Sequence, residues 1–153
     1  MDVYQRSILK QIIMANFSKR SIGNLIGVHP DLVEVLLDAI KDTPVDFMIT
    51  SGVRSLRDQK ALYAQGRTRP GKVVTNADGV RNKSNHQAKE DGFGYAVDLY
   101  PFYNGSVQIH DDKVVPKLYE IADHIISVAE SMGVKIEWGG DWKMRDYPHF
   151  ELK

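Results

Sequence analysis

The chain has 153 residues, no cysteine, and 20 basic against 20 acidic side chains. That length fits one domain, and a composition of 42% hydrophobic and 26% charged residues can build an ordinary core, which excludes wholesale disorder. Zero net charge argues against broad capture of nucleic acid, although Arg54, Arg57, Arg67, Arg69 and Lys72 form a local basic run, and the lack of cysteine excludes disulfides, thiolate zinc sites and a cysteine nucleophile.

No apolar run reaches the roughly 18 residues of a membrane span. The N-terminus, MDVYQRSILKQIIMANF, lacks the long apolar stretch and cleavage site of a secretory signal. Synthesis and release as a cytoplasmic product are therefore expected.

Ile8, Leu9, Ile12, Ile13 and Phe17 recur at helical spacing over residues 5–17. Gly23 and Gly27 are expected to break the stretch that follows. His29-Pro30-Asp31 reads as a helix start, with proline at the first helical position. Leu32, Val33, Leu36, Leu37 and Ile40 give that helix a buried stripe, ending near Asp42-Thr43-Pro44. Val45, Phe47 and Ile49 alternate with Asp46, Met48 and Thr50, as in a strand. Ser55 with Asp58 resembles a capping box, so a helix is expected from about 56 to Gln65, stopped by Gly66.

From Thr68 to Glu90 the chain is rich in Gly, Asn, Lys and Arg, and reads as a long surface loop, of a length that in compact domains is usually functional or mobile. Tyr95 to Tyr100 reads as a strand closed by Pro101, and Asn104-Gly105 as a hairpin turn. Residues 116–132 form the clearest helix, with Leu118, Ile121, Ala122, Ile125, Val128, Ala129 and Met132 on one face and Gly133 as cap. Val134–Trp138 and Tyr147–Leu152 read as strands around a Gly139-Gly140 turn. The pattern is α+β: a small antiparallel sheet with flanking helices.

Asp98 is an unusual strand residue between Val97 and Leu99. On the face it shares with Ala96 and Tyr100, its carboxylate must be solvated, hydrogen-bonded or bound to a cation. His149 shares a strand face with Glu151, opposite Pro148, Phe150 and Leu152; it reads as a surface residue or a ligand. Asp146 lies three residues before it. His86 sits in Lys83-Ser84-Asn85-His86-Gln87, which has no periodicity, and a lone loop histidine is expected to be exposed. Together, two imidazoles and a carboxylate have the composition of an open, catalytic zinc site. His29, His110 and His124 have plainer explanations at a helix start, in a polar hairpin and on a helix flank.

Three separated motifs carry a family resemblance: Ser84-Asn85-His86, Gly94-Tyr95-Ala96-Val97-Asp98, and Asp146-Tyr147-Pro148-His149-Phe150. With Gly27-Val28-His29-Pro30-Asp31-Leu32, Ser51-Gly52-Val53-Arg54-Ser55, Ala96-Val97-Asp98-Leu99-Tyr100-Pro101 and Trp138-Gly139-Gly140-Asp141-Trp142, they resemble the D-alanyl-D-alanine carboxypeptidase family of zinc peptidases, which shares the hedgehog fold. Within it, the chain is most similar to phage endolysins that are L-alanyl-D-glutamate peptidases. The likeness runs from about residue 25 to 152.

The resemblance implies one Zn2+ per chain, held by His86, Asp98 and His149. It implies Asp146 as the catalytic carboxylate and Arg54 over the substrate carbonyl, with Gln59 and Ser84 lining the same cleft. It implies a peptidase domain over 1–153, with residues 1–24 as a helical extension and no separate wall-binding domain. The implied partner is the stem peptide of bacterial peptidoglycan, with no nucleic acid and no membrane span, and the implied state is a monomer. The implied setting is the host bacterial cytoplasm, with action on the wall in the periplasm after release. Two other readings stand beside it: a D-alanyl-D-alanine carboxypeptidase, and a zinc-stabilised binding module without catalysis.

One departure concerns the loop after His86. The family pattern is Ser-x-His-x-x-Gly-x-Ala-x-Asp, whereas seven residues, Gln87 to Phe93, here precede Gly94. Gly92 and Gly94 would let the insertion loop outward. Otherwise Glu90 or Asp91 would compete for the metal.

Overall fold

The computed structural model describes residues 2–6 and 17–153. The expected stripe at Ile8, Leu9, Ile12 and Ile13 lies outside the described residues. Phe17 is buried, its ring edge-on to Phe47 at 5.7 Å.

Among the described residues after Phe17 there are four α-helices and five strands: α1 Lys19–Leu25, α2 Pro30–Ala39, β1 Phe47–Ser51, α3 Leu56–Ala64, β2 Ala96–Tyr103, β3 Ser106–Val107, α4 Val114–Ser131, β4 Ile136–Trp138 and β5 His149–Leu152. The sheet is antiparallel, in the order β1-β2-β5-β4, with β3 paired to the far end of β2. This is the expected α+β architecture.

Alternation splits the sheet into two faces. Phe47, Ile49, Val97, Leu99, Phe150 and Trp138 turn toward α2 and α4 and form the core with those helices' apolar stripes. Leu32, Leu36, Leu118, Ile121 and Ile125 are essentially inaccessible. Each such side chain contributes about 1.5–3 kcal/mol by leaving water. Stability therefore resides on this face. The opposite face carries Asp98, His149 and Glu151 and is available for chemistry.

Local signals explain most boundaries. The His29 side chain caps α2, accepting from the Asp31 N–H at 3.1 Å. Ser55 caps α3 by accepting from the Asp58 N–H at 3.1 Å. Asn104 and Gly105 adopt φ of 53° and 77°, the two left-handed residues of a tight β2–β3 hairpin.

Three elements differ from expectation. The stretch with Gly23 is helical, because Ser18 caps it and its polar residues have work to do at the sheet edge. Ser21 Oγ accepts from Ile49 N at 3.0 Å, and Asn24 Nδ2 donates to Ile49 O at 2.9 Å. α1 thus covers the exposed edge of β1, which would otherwise invite pairing. β2 also runs through Pro101 to Tyr103. The β5 ladder ends at Asp98 and the β3 ladder begins at Phe102, so the missing proline N–H falls between them. Met132, expected in the stripe of α4, is 38% exposed beside the terminal Gly133.

Candidate metal centre

Asp98 and His149 stand directly opposite each other on β2 and β5. Cross-strand neighbours lie within side-chain reach, so sheet pairing alone brings these two together. His86 arrives from the long loop. Its backbone carbonyl accepts from Arg54 N at 2.8 Å, and its Nδ1–H donates to Gly52 O at 2.9 Å. A Cβ at position 52 would collide with the Asn24 carbonyl, so only glycine lets the chain pass here. His86 is consequently 2% exposed, which corrects the expectation of a solvent-facing loop histidine. His149 is likewise buried, at 6% exposure, rather than a surface residue.

Three atoms converge. His86 Nε2 lies 3.2 Å from His149 Nδ1. Asp98 Oδ1 lies 3.4 Å from the first and 3.5 Å from the second. A tetrahedron with zinc–ligand bonds of about 2.0–2.1 Å has edges of about 3.4 Å. The outer ring nitrogens are occupied: His86 Nδ1–H by Gly52 O, and His149 Nε2–H by Glu151 Oε1 at 2.8 Å. In the neutral, ligating form of each ring the facing nitrogen is thereby the one that carries the lone pair. Asp98 Oδ1 is buried with no hydrogen-bond partner among the described residues. A buried carboxylate oxygen between two imidazole nitrogens that can both ligate once neutral fits a divalent cation. Among the described residues this is the one such cluster of three.

The remaining expected residues surround it. Asp146 Oδ2 is 3.8 Å from His149 Nδ1, on a half-exposed side chain whose backbone N–H donates to Gly139 O at 2.9 Å. Partial burial and the Asp98 charge push its pKa up, against the pull of His149, His86 and Arg54. Arg54 Nη2 is 3.8 Å from Asp98 Oδ2, and its Nη1 donates to Gln59 Oε1 at 2.9 Å. Gln59 is fully buried, and its Nε2 donates to Ala77 O at 2.8 Å. It therefore reaches the cleft through Arg54. Ser84 Oγ accepts from the His86 N–H at 3.2 Å, shaping the turn that presents that histidine.

The insertion loops outward. Gly92 N and Lys89 N close a turn with Lys89 O and Phe93 O, each at 2.9 Å, and Asp91 accepts from Tyr95 Oη–H at 2.6 Å. Glu90 and Asp91 are exposed and outside the cluster.

The model of the family described as phage L-alanyl-D-glutamate peptidase matches residues 13–153. The chain belongs to that family. Like its members, it is a metallopeptidase of the hedgehog-fold group. It is 32% identical to the peptidoglycan L-alanyl-D-glutamate endopeptidase CwlK of Bacillus subtilis (strain 168), over 82% of this chain and 73% of that protein. It is 29% identical to the L-alanyl-D-glutamate peptidase of Escherichia phage T5, over 90% of this chain and 88% of that one. The crystal structure of the Serratia marcescens L-Ala D-Glu endopeptidase ChiX superposes with a TM-score of 0.64 at 30% identity, covering 90% of this chain and 89% of ChiX.

Two residues of this peptidase escaped sequence reasoning as parts of the site. Glu151 was visible only as the same-face neighbour of His149. Trp142, whose ring lies 4.9 Å from that of His149, was visible only within a motif.

The charges predict how metal binding depends on pH. Burial lowers the His149 pKa, but the Asp98 and Glu151 contacts outweigh it and raise it to about 9. Burial likewise raises that of Asp98, while His149 and His86 hold it well below the usual carboxylate range. In the metal-free chain, the raised His149 pKa contributes stability present in full below 6.5 and lost through about 9. The depressed Asp98 pKa contributes stability present above 3.8 and lost as pH falls further. At pH 7 an incoming cation must displace the His149 proton. Zinc binding is therefore expected to release about one proton, and to tighten up to about tenfold per pH unit until pH 9. Calorimetry in buffers of different ionisation enthalpy measures this; a buffer-independent heat at pH 7 would contradict it.

Proposed function

We propose that the chain is a zinc-dependent peptidase that cuts the L-alanyl-D-glutamate bond in the stem peptide of bacterial peptidoglycan. The observation that carries the reading is the cluster of His86 Nε2, His149 Nδ1 and Asp98 Oδ1, with Asp146 and Arg54 beside it. A structural zinc site closes on four protein ligands, whereas a catalytic one keeps a corner open. Three ligands flanked by a carboxyl of raised pKa and a guanidinium fit the second kind. The named activities of CwlK, the phage T5 peptidase and ChiX support the choice of bond.

Bound at these three atoms, zinc would lower the pKa of a water and polarise the scissile carbonyl. Asp146 takes the proton from the attacking water and delivers it to the leaving amine. Its raised pKa favours holding that proton between the two steps. Arg54, pinned by Gln59, presents its guanidinium to the carbonyl oxygen as negative charge develops there. The Gly52 and Glu151 acceptors keep both imidazoles in the ligating tautomer. We place this work in the periplasm, after release of the chain from the host cytoplasm.

Digestion of purified muropeptides, followed by mass analysis, tests the bond. The expected products are a glycan-linked L-alanine stub and a free peptide beginning with D-glutamate. Release of free D-alanine with no cut after L-alanine would instead identify a carboxypeptidase.

A further inference from the structure

The Glu151 carboxylate does more than accept from one imidazole. It is 4% exposed and stands on the site face of β5, two residues past His149. Its Oε1 accepts from His149 Nε2–H at 2.8 Å. Its Oε2 accepts from Asn85 Nδ2 at 2.8 Å. Asn85 is the residue immediately before His86. One carboxylate therefore joins the strand carrying one histidine to the loop carrying another, 63 positions away. Lys153 Nζ, held at 2.9 Å by Glu137, lies 3.5 Å from Oε2 and supplies a countercharge.

As a stability device this arrangement is poor. A buried charge cluster returns little more than its desolvation costs, and an apolar packing of similar volume does as well. As a positioning device it is effective. A metal centre loses affinity when its ligands must be ordered on binding, and carboxylate partners of ligating histidines are a general means of avoiding that cost.

We propose that Glu151 is the positioning residue of the centre. It fixes the tautomer of His149 and, through Asn85, tethers the His86 loop, so that both imidazoles stand in place before a metal arrives. The proposal rests on the metal-centre reading above and extends it to the organisation of the site.

The test uses the full chain, stripped of metal and titrated with Zn2+ against a chromophoric chelator, with Co2+ as a spectroscopic probe. Glu151→Ala is expected to weaken zinc binding about 10–100-fold and to alter the Co2+ ligand-field bands. Glu151→Gln keeps one oxygen that accepts from His149 Nε2–H but turns an NH2 on the Asn85 amide, and is expected to bind zinc more tightly than Glu151→Ala and less tightly than the wild type. Asn85→Ala frees the loop while leaving the His149 contact, and is expected to fall between. A folded Glu151→Ala chain with wild-type affinity would overturn the proposal. So would Glu151→Gln as weak as Glu151→Ala, which would assign the effect to charge. Should Glu151→Ala fail to fold, wild-type affinity in Asn85→Ala would overturn the tether. A wild-type chain that takes up no zinc would instead overturn the metal-centre reading itself.

Discussion

Asp146→Ala is expected to slow stem-peptide hydrolysis about 10²–10⁴-fold, the usual worth of a positioned general acid–base group, while zinc binding persists. The split follows from geometry. The three converging ligand atoms belong to His86, Asp98 and His149, and Asp146 is outside that set. Its Oδ2 is nevertheless 3.8 Å from His149 Nδ1, close enough to serve a water bound at the same place. Partial burial and the Asp98 charge favour its protonated form more than water would, which suits a group that must both accept and return a proton. Asp146→Asn preserves size and removes the base, so it should be nearly as slow as the alanine variant. Metal content by elemental analysis, beside hydrolysis rates on muropeptides, checks both halves. A wild-type rate in Asp146→Ala would place the proton shuttle elsewhere. Loss of zinc along with activity would make Asp146 a ligand.

The site was legible in the sequence to different degrees, for physical reasons. Asp98 and His149 could be placed because strands have a period of two, so each residue's face follows from its neighbours. An aspartate between Val97 and Leu99 is costly unless something binds it, and that cost is a local signal. His86 offered no such signal. Its loop has no period, and its burial depends on Gly52, 34 residues earlier, accepting its Nδ1–H. Only the order of the motifs pointed to it. Asn85 and Glu151 meet across 66 positions and are joined by tertiary packing alone.

The fold follows the same division. The helices α2 and α4 announce themselves through apolar stripes and end signals, because those encode local geometry. The failures arose where tertiary context prevailed. Gly23 sits within a helix whose Ser21 and Asn24 are held by the edge of β1. Pro101 pairs with Phe47 of β1, but its nitrogen faces the other side of β2, in the gap between the β5 and β3 ladders. The insertion after His86 turns outward on contacts of its own, and so leaves His86, Asp98 and His149 together.

Removing the metal is expected to have the largest effect of all, because every proposed step depends on charge concentrated where the two imidazoles and Asp98 meet. A water without a cation has a pKa near ~15.7, against ~7 when bound to catalytic zinc. Asp146 and Arg54 cannot make up that difference. The direct measurement is zinc content per chain, paired with the rate at which the chain clears a peptidoglycan suspension before chelation, after it, and after zinc is restored. The account predicts one zinc per chain, clearing abolished in the stripped protein, and recovery on readdition. Undiminished clearing by a chain shown to hold no metal would contradict it.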